Sequence, residues 1–255
     1  MKSVLLKKYR QLMEQAFVPI FVKDSFDTET LLAGCELAGI RVMEYTLRRE
    51  DASAVIPTLK KRFPDKLVLV GSTLDSAHIV DAMKKKHPQL MRLDELAPYV
   101  DGFVSFQPFS SKTIAQYAQT HLVIPVAETS GEALRQMDAG AAVIKVCGPD
   151  LSFSRQLHAA PTFGYCPTFV TGGINHLRME EAFSAGNVLT AAGFDLILKG
   201  EDAATLTPER VAELLLVYVN AAKEARRRVL PVFDGIERLD DVSFGEALPN
   251  YCPFL

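Results

Sequence analysis

Eight short, β-branched apolar runs separated by stretches of helical periodicity constrain this 255-residue chain more than any other feature. The runs fall at 18–22, 41–47, 67–72, 102–107, 123–127, 142–146, 168–171 and 188–192. Between them apolar positions recur at helical spacing, as in Thr28-Glu29-Thr30-Leu31-Leu32-Ala33-Gly34-Cys35-Glu36-Leu37-Ala38. Strand–helix alternation builds a parallel sheet, because each parallel strand needs a long crossover to its neighbour, and eight such units are what closes a (β/α)8 barrel. The predicted fold class is therefore α/β, a (β/α)8 TIM barrel spanning 1–230. An amphipathic N-terminal helix at 4–16 is expected to cover its bottom. A C-terminal helical extension begins with Pro208 in the first turn of a helix over 208–230. The tail at 231–255 mixes Asp234-Gly235, Pro249 and Pro253 with aromatics and fits either a docking arm or a disordered end.

Local punctuation agrees with this division. Asp27 or Thr28 is placed to cap the helix after the first strand, and Thr129-Ser130-Gly131-Glu132 pairs a cap with an acidic first turn. Gly39, Gly140 and Gly186 stand where helices should stop.

Composition excludes several function classes. The formal net charge is −3, and the short clusters Lys84-Lys85-Lys86 and Arg226-Arg227-Arg228 are explained as solvated helix faces, so no nucleic-acid partner is expected. Cys35, Cys147, Cys166 and Cys252 form no C-x-x-C pair and no ligand spacing with the five histidines, so no disulfide framework, metal site or cofactor is expected. The N-terminus lacks a secretory pattern, and no apolar run approaches membrane-spanning length. A cytoplasmic protein without a membrane partner is the expectation.

Lys145 carries the chemical signal. It lies inside Ala141-Ala142-Val143-Ile144-Lys145-Val146-Cys147, a strand pattern in which an ammonium is hard to accommodate. Burial favours the neutral amine of a lysine, the form that attacks a carbonyl; a stem that packs while its head reaches solvent is the structural alternative. Other polar groups fall at the carboxyl ends of predicted strands, where barrel enzymes place their catalytic groups. Glu44, Thr46 and Arg48 share one face of the second strand by alternation. Thr73 ends the third, Gln107 and Pro108 the fourth, Glu128 the fifth, and Thr171-Gly172-Gly173-Ile174 the seventh. A carboxylate that moves protons, a guanidinium that grips a carboxylate and an amine that forms an imine make a class I aldolase set. The glycine pair lets backbone N–H groups approach an anion, and a following helix start would add a favourable dipole. His176, just past that pair, fits a surface position at a helix start, and Cys147 fits a small packing residue.

These residues resemble the 2-keto-3-deoxy-6-phosphogluconate and 2-keto-4-hydroxyglutarate (KDPG/KHG) aldolases. The resemblance covers roughly 19–198 and is carried by Val18-Pro19-Ile20, by Gly39-Ile40-Arg41-Val42-Met43-Glu44-Tyr45-Thr46-Leu47-Arg48, by Gly71-Ser72-Thr73-Leu74, by Lys145 and by Thr171-Gly172-Gly173-Ile174. It implies a Schiff-base role for Lys145, an acid/base role for Glu44, and Arg48 and Thr73 as holders of pyruvate. It implies Gly172 and Gly173 as binders of the distal anion, with Pro108 and Thr171 also on the substrate. A small 2-keto acid substrate and a homotrimer follow from the same resemblance.

The chain departs from the family pattern at the far end of the site. Lys145-Val146-Cys147-Gly148-Pro149 stands where the family has lysine followed by an aromatic-Pro segment, and Val170 stands for the Pro before Thr-Gly-Gly. Ala192-Gly193-Phe194 replaces a Gly-Gly-Ser whose serine contacts phosphate, and Lys84 through Val100 is longer than the family allows. Retained pyruvate chemistry with a changed distal substrate is the expectation. Two alternatives stay open: an anion-binding barrel of epimerase or synthase type, and a catalytically silent relative that senses a ligand.

Overall fold

The computed structural model describes residues 2–159 and 166–247, and of residues 2 and 3 the backbone only. Cys252 and the last part of the expected tail, 248–255, lie outside the described residues. The strands are β1 (Phe17–Phe21), β2 (Val42–Thr46), β3 (Leu67–Thr73), β4 (Gly102–Ser105), β5 (Leu122–Ile124), β6 (Ile144–Cys147), β7 (Thr168–Thr171) and β8 (Leu189–Gly193). They form one eight-stranded sheet in the order β5-β4-β3-β2-β1-β8-β7-β6, and every pairing is parallel. Residues beyond β5 close the ring against β6: Lys145 N donates to Pro125 O at 2.8 Å and Ala127 N to Lys145 O at 3.0 Å. The expected (β/α)8 barrel is the fold, and the backbone of Lys145 lies on its closing seam.

Strand alternation sorts side chains into two layers. Val18, Ile20, Val42, Leu69, Val104 and Phe169 form one buried cluster, the barrel interior, with Leu5, Tyr9, Leu12 and Met13 of the N-terminal helix (Lys2–Gln15). That helix plugs the bottom as its amphipathic pattern requires. The alternate positions, among them Phe21, Met43, Tyr45, Val68 and Val70, pack outward under the helices. The layers decide which way each polar strand residue points: Glu44 alternates with outward Met43 and Tyr45, and Lys145 follows outward Ile144, so both face the interior.

β3 is irregular at its upper end. Its pairing with β4 runs Leu69↔Gly102 and Val70↔Phe103, then shifts to Thr73↔Ser105, so one extra residue is inserted in β3. Ser72 within this bulge has φ +60°, a left-handed conformation that costs a residue with a Cβ roughly 1–2 kcal/mol. Bulges re-aim side chains, and this one carries Thr73 to the rim.

The chain beyond the long helix Pro208–Val229 packs under the barrel through residue 247. Phe233, Ile236 and Phe244 join the interior cluster, and Phe244 meets Tyr9 edge-on at 6.4 Å. Arg10 pairs with Asp241 at 3.0 Å. Arg226 is buried, donates to Met13 O at 2.6 Å and Val188 O at 3.1 Å, and lies 4.4 Å from the Phe233 ring centroid. Burial pulls its pKa down to about 9, so the guanidinium is still charged at neutral pH. Among the described residues, no helix is long and apolar enough to cross a membrane.

Candidate active site

Glu44 is 2% exposed near the top of the interior. The space it occupies exists because β3 carries a glycine beside it: a Cβ on Gly71 would overlap Glu44 Oε1 and approach Cδ to 2.8 Å. Among the described residues Glu44 Oε2 has no hydrogen-bond partner. Burial raises the Glu44 pKa, with Lys145 and then Arg48 opposing through their positive charges. Desolvation prevails because a carboxylate in an apolar surround loses more hydration than two imperfectly placed cations return.

Lys145 is 8% exposed, and its Nζ crosses the top of the barrel to donate to Ser105 O at 3.1 Å. The Ser105 side chain acts as well, its Oγ accepting the Val126 amide at 2.7 Å, beside the closing seam. The residue that anchors the lysine therefore also fixes the backbone next to it. A backbone carbonyl leaves no mark in a sequence, and Ser105 has no part in the sequence-based expectations.

The two arginines after β2 separate by role. Arg49 is 3% exposed and donates to Thr28 Oγ1 at 2.7 Å, Tyr45 Oη at 3.0 Å, Asp51 at 3.2 Å and Lys23 O, so it ties the β1 and β2 loops together. Arg48 is exposed and its charge acts on Glu44 and Cys147. Thr73 is fully buried and donates its hydroxyl to Val104 O at 2.9 Å. That bond uses its only proton, so donation to a substrate carboxylate requires the hydroxyl to rotate. Cys147, the last residue of β6, is exposed and not packed inside. It lies within electrostatic reach of Lys145, Glu44, Glu128 and Arg48, so these residues form one group at the mouth.

The remaining predicted positions bound that mouth. Pro108 is half-buried beyond β4. Thr171 is buried at the end of β7, aligned with Cys147. Gly172 and Gly173 are exposed and adopt φ +97° and +74°. A Cβ on Gly173 would also come 2.9 Å from Pro149 Cβ, so glycine is required there twice over. The expected helix dipole is smaller than the sequence implied. Asn175 caps a single 3-10 turn, His176–Arg178, with its own side chain, and the helix that follows has six residues. The His176 ring packs against Tyr218 at 5.2 Å, with its Nδ1 buried. Val170 faces the outer layer. Phe194 is 2% exposed and meets Phe21 edge-on at 4.8 Å, which takes it out of any ligand contact. The longer segment between β3 and β4 supplies a short helix, Leu93–Leu96, clamped by a Lys84–Glu95 ion pair at 2.6 Å.

No protein-family model matches this sequence. No curated protein matches it either. Solved structures do. A KDPG aldolase from Legionella pneumophila, with pyruvate captured as a covalent carbinolamine, is 19% identical, with a TM-score of 0.60 over 82% of this chain and 97% of that one. A 2-keto-3-deoxy-6-phosphogluconate aldolase of Zymomonas mobilis with 3-phosphoglycerate is 17% identical, with a TM-score of 0.61 over 84% and 94%. A thiamine phosphate pyrophosphorylase from Pyrococcus furiosus is 15% identical, with a TM-score of 0.55 over 82% and 98%. The chain thus has the barrel fold seen in KDPG/KHG aldolases, as the sequence resemblance implied. That fold also serves another chemistry, so the activity has to be argued from the site.

Proposed function

We propose that this protein is a class I aldolase that joins pyruvate to an aldehyde, or cleaves the corresponding 2-keto-4-hydroxy acid. The observation that carries the proposal is a pair: an interior lysine amine and, within its electrostatic reach, a buried carboxyl group with one oxygen unpartnered among the described residues. Neither group serves the barrel as an apolar residue would, and together they meet the needs of imine chemistry.

Once its ammonium proton has left to water, Lys145 Nζ adds to C2 of pyruvate, and a proton moves from nitrogen to the former carbonyl oxygen. Glu44, whose carboxyl burial biases towards the protonated form, donates to that hydroxyl; water leaves, and the iminium forms with Glu44 now ionised. The carboxylate takes a proton from C3, and the iminium accepts the electron pair to give the enamine. The enamine carbon attacks the aldehyde carbon while Glu44 returns its proton to the aldehyde oxygen. Water then adds to the product iminium, the Glu44 carboxylate takes up the proton this sets free, and collapse of the carbinolamine to the ketone releases Lys145 as the amine. Arg48 grips the pyruvate carboxylate with paired N–H donors, and Thr73 assists after its hydroxyl rotates. Thr171, Gly172 and Gly173 on one side and Pro108 on the other bound the aldehyde.

Support also comes from the aldolases of the same fold, one of which holds pyruvate as a carbinolamine. Assembly with further copies of the chain, as a trimer, belongs to the same proposal; a similar chain occurs in a cage built by fusing symmetric oligomeric domains. Pyruvate release from 2-keto-3-deoxygluconate, whose cleavage leaves the uncharged D-glyceraldehyde, coupled to lactate dehydrogenase, tests the activity. Wild type is expected to turn over, Lys145→Ala to lose at least about 10³-fold, and Glu44→Gln about 10²–10⁴-fold. Full activity in Lys145→Ala would overturn the proposal.

A further inference from the structure

We propose that the aldehyde taken at this site carries no phosphate and that Phe106 is the residue that selects it, an inference that rests on the aldolase reading above. Phe106 follows Ser105, whose carbonyl holds Lys145 Nζ, and its own amide donates to Thr73 O at 3.0 Å. Phe106 is the first residue beyond β4, and because its amide still bonds to β3 as the ladder does, the alternation of the strand carries over to it. Val104 belongs to the interior cluster, and a Cβ on Gly102 would point at interior Leu69 and Leu122. The next position on that face, one step nearer the mouth, is Phe106. Val104 is fully buried, whereas Phe106 is 60% exposed. An apolar ring thus stands in water at the rim of a polar site, one residue from the lysine's anchor. Leu134 and Leu216, also exposed, lie on helices outside the barrel, and Leu177 projects from the 3-10 turn after the glycine pair, away from the lysine's anchor in sequence and strand.

The charges at the mouth argue in the same direction. Arg48 and Lys145 are committed to pyruvate in the proposed reaction. Lys23, beyond β1, is paired with Asp195 at 3.4 Å, and the Asp195 carboxylate folds back over Gly193 at the end of β8. Glu128 lies beyond β5, close enough for its charge to act on Cys147. Phe194 has no hydroxyl and is buried, and Asn175 spends its side chain on its own turn. Arg178 lies beside the glycine pair, but its guanidinium is spent on Glu181 at 2.8 Å, Pro149 O at 2.9 Å and Gly173 O at 3.5 Å. A phosphate dianion arriving at this rim therefore meets the Asp195 and Glu128 carboxylates, with the Gly172 and Gly173 backbone and an arginine already paired with Glu181 to receive it. An uncharged aldehyde meets no such penalty and gains contact with the Phe106 ring.

The experiment measures aldol addition of pyruvate to D-glyceraldehyde and to D-glyceraldehyde 3-phosphate, alongside borohydride trapping of pyruvate alone. The expected result is a kcat/KM for the unphosphorylated aldehyde at least about tenfold higher. Phe106→Ala raises the KM for D-glyceraldehyde by about tenfold, the scale of a lost aromatic contact, while pyruvate KM and trapping stay unchanged. Phe106→Tyr restores it. Asp195→Asn raises use of the phosphorylated aldehyde several-fold and leaves the other unchanged. Equal or lower use of the unphosphorylated aldehyde, zero included, or an unchanged aldehyde KM in Phe106→Ala, overturns the inference while trapping still upholds the aldolase reading. Failure of trapping in the wild type overturns both.

Discussion

Gly71 on β3 and Glu44 on β2 share one volume at the top of the barrel, the carboxylate occupying the space that any side chain at Gly71 would need. A fully buried acid has nowhere else to go, since the interior below it is filled by Val42 and Leu69. Gly71→Ala must therefore displace either the carboxylate or the β3 backbone beside the bulge. Displacement of about 1 Å costs roughly 10²-fold in rate where reacting groups must be aligned. We expect a kcat loss of that order with a circular dichroism spectrum like that of wild type. A kcat equal to wild type would show that Glu44 moves proton-bearing atoms from more than one position.

Glu44 makes stability depend on pH with a definite sign. Its folded pKa is raised above the ordinary 4.5. The stabilisation from its protonated form is therefore fully present below the unfolded value and is lost as pH rises through the folded one. Gln at position 44 does not titrate. The melting temperature of Glu44→Gln should exceed that of wild type at pH 8, and the gap should close as pH falls below about 4.5. A gap that widens towards acid would mean that the two cations outweigh burial.

Ser105 couples the lysine to the seam. Ser105→Ala leaves the Val126 amide without its 2.7 Å acceptor in a buried position, a change costing about 1–3 kcal/mol. Urea denaturation should report a loss of that size. Imine formation should slow as well, because the carbonyl that holds Lys145 belongs to the same residue. Unchanged stability would indicate that water replaces the hydroxyl.

Phe244 tests the other end of the barrel. It is fully buried against Tyr9, and truncation of a buried phenylalanine costs about 3–5 kcal/mol. Phe244→Ala should lower the unfolding free energy measured in urea by that amount and leave the pyruvate KM unchanged, since its contacts are to the bottom cluster and not to the mouth. A negligible stability change would mean that the packing of residues 231–247 contributes little.

The sequence displayed the fold because barrel strands buried on both faces must be apolar runs, and their spacing survives in the primary structure. Lys145 and Glu44 were legible for the same reason: a charged residue in an apolar run is conspicuous. Arg48, Thr73, Thr171 and the glycine pair could be placed by strand ends and by resemblance. What stayed hidden depends on contacts without a period. The Ser105 carbonyl is a backbone group, the Gly71 gap is defined only by its neighbour, and the bulge at Ser72 is a matter of φ. Phe106 becomes conspicuous only when its exposure is set beside the burial of Val104. The packing of 231–247 under the N-terminal helix joins residues more than 200 positions apart, as in Arg10 with Asp241, and no local pattern encodes that.

The measurement that bears most directly on the account is borohydride reduction in the presence of pyruvate, followed by peptide mass analysis of wild type and Lys145→Ala. The account predicts a reduced pyruvate adduct on the peptide containing Lys145, absent from the variant. A folded wild-type protein that forms no adduct, or an adduct found at another lysine, would contradict it.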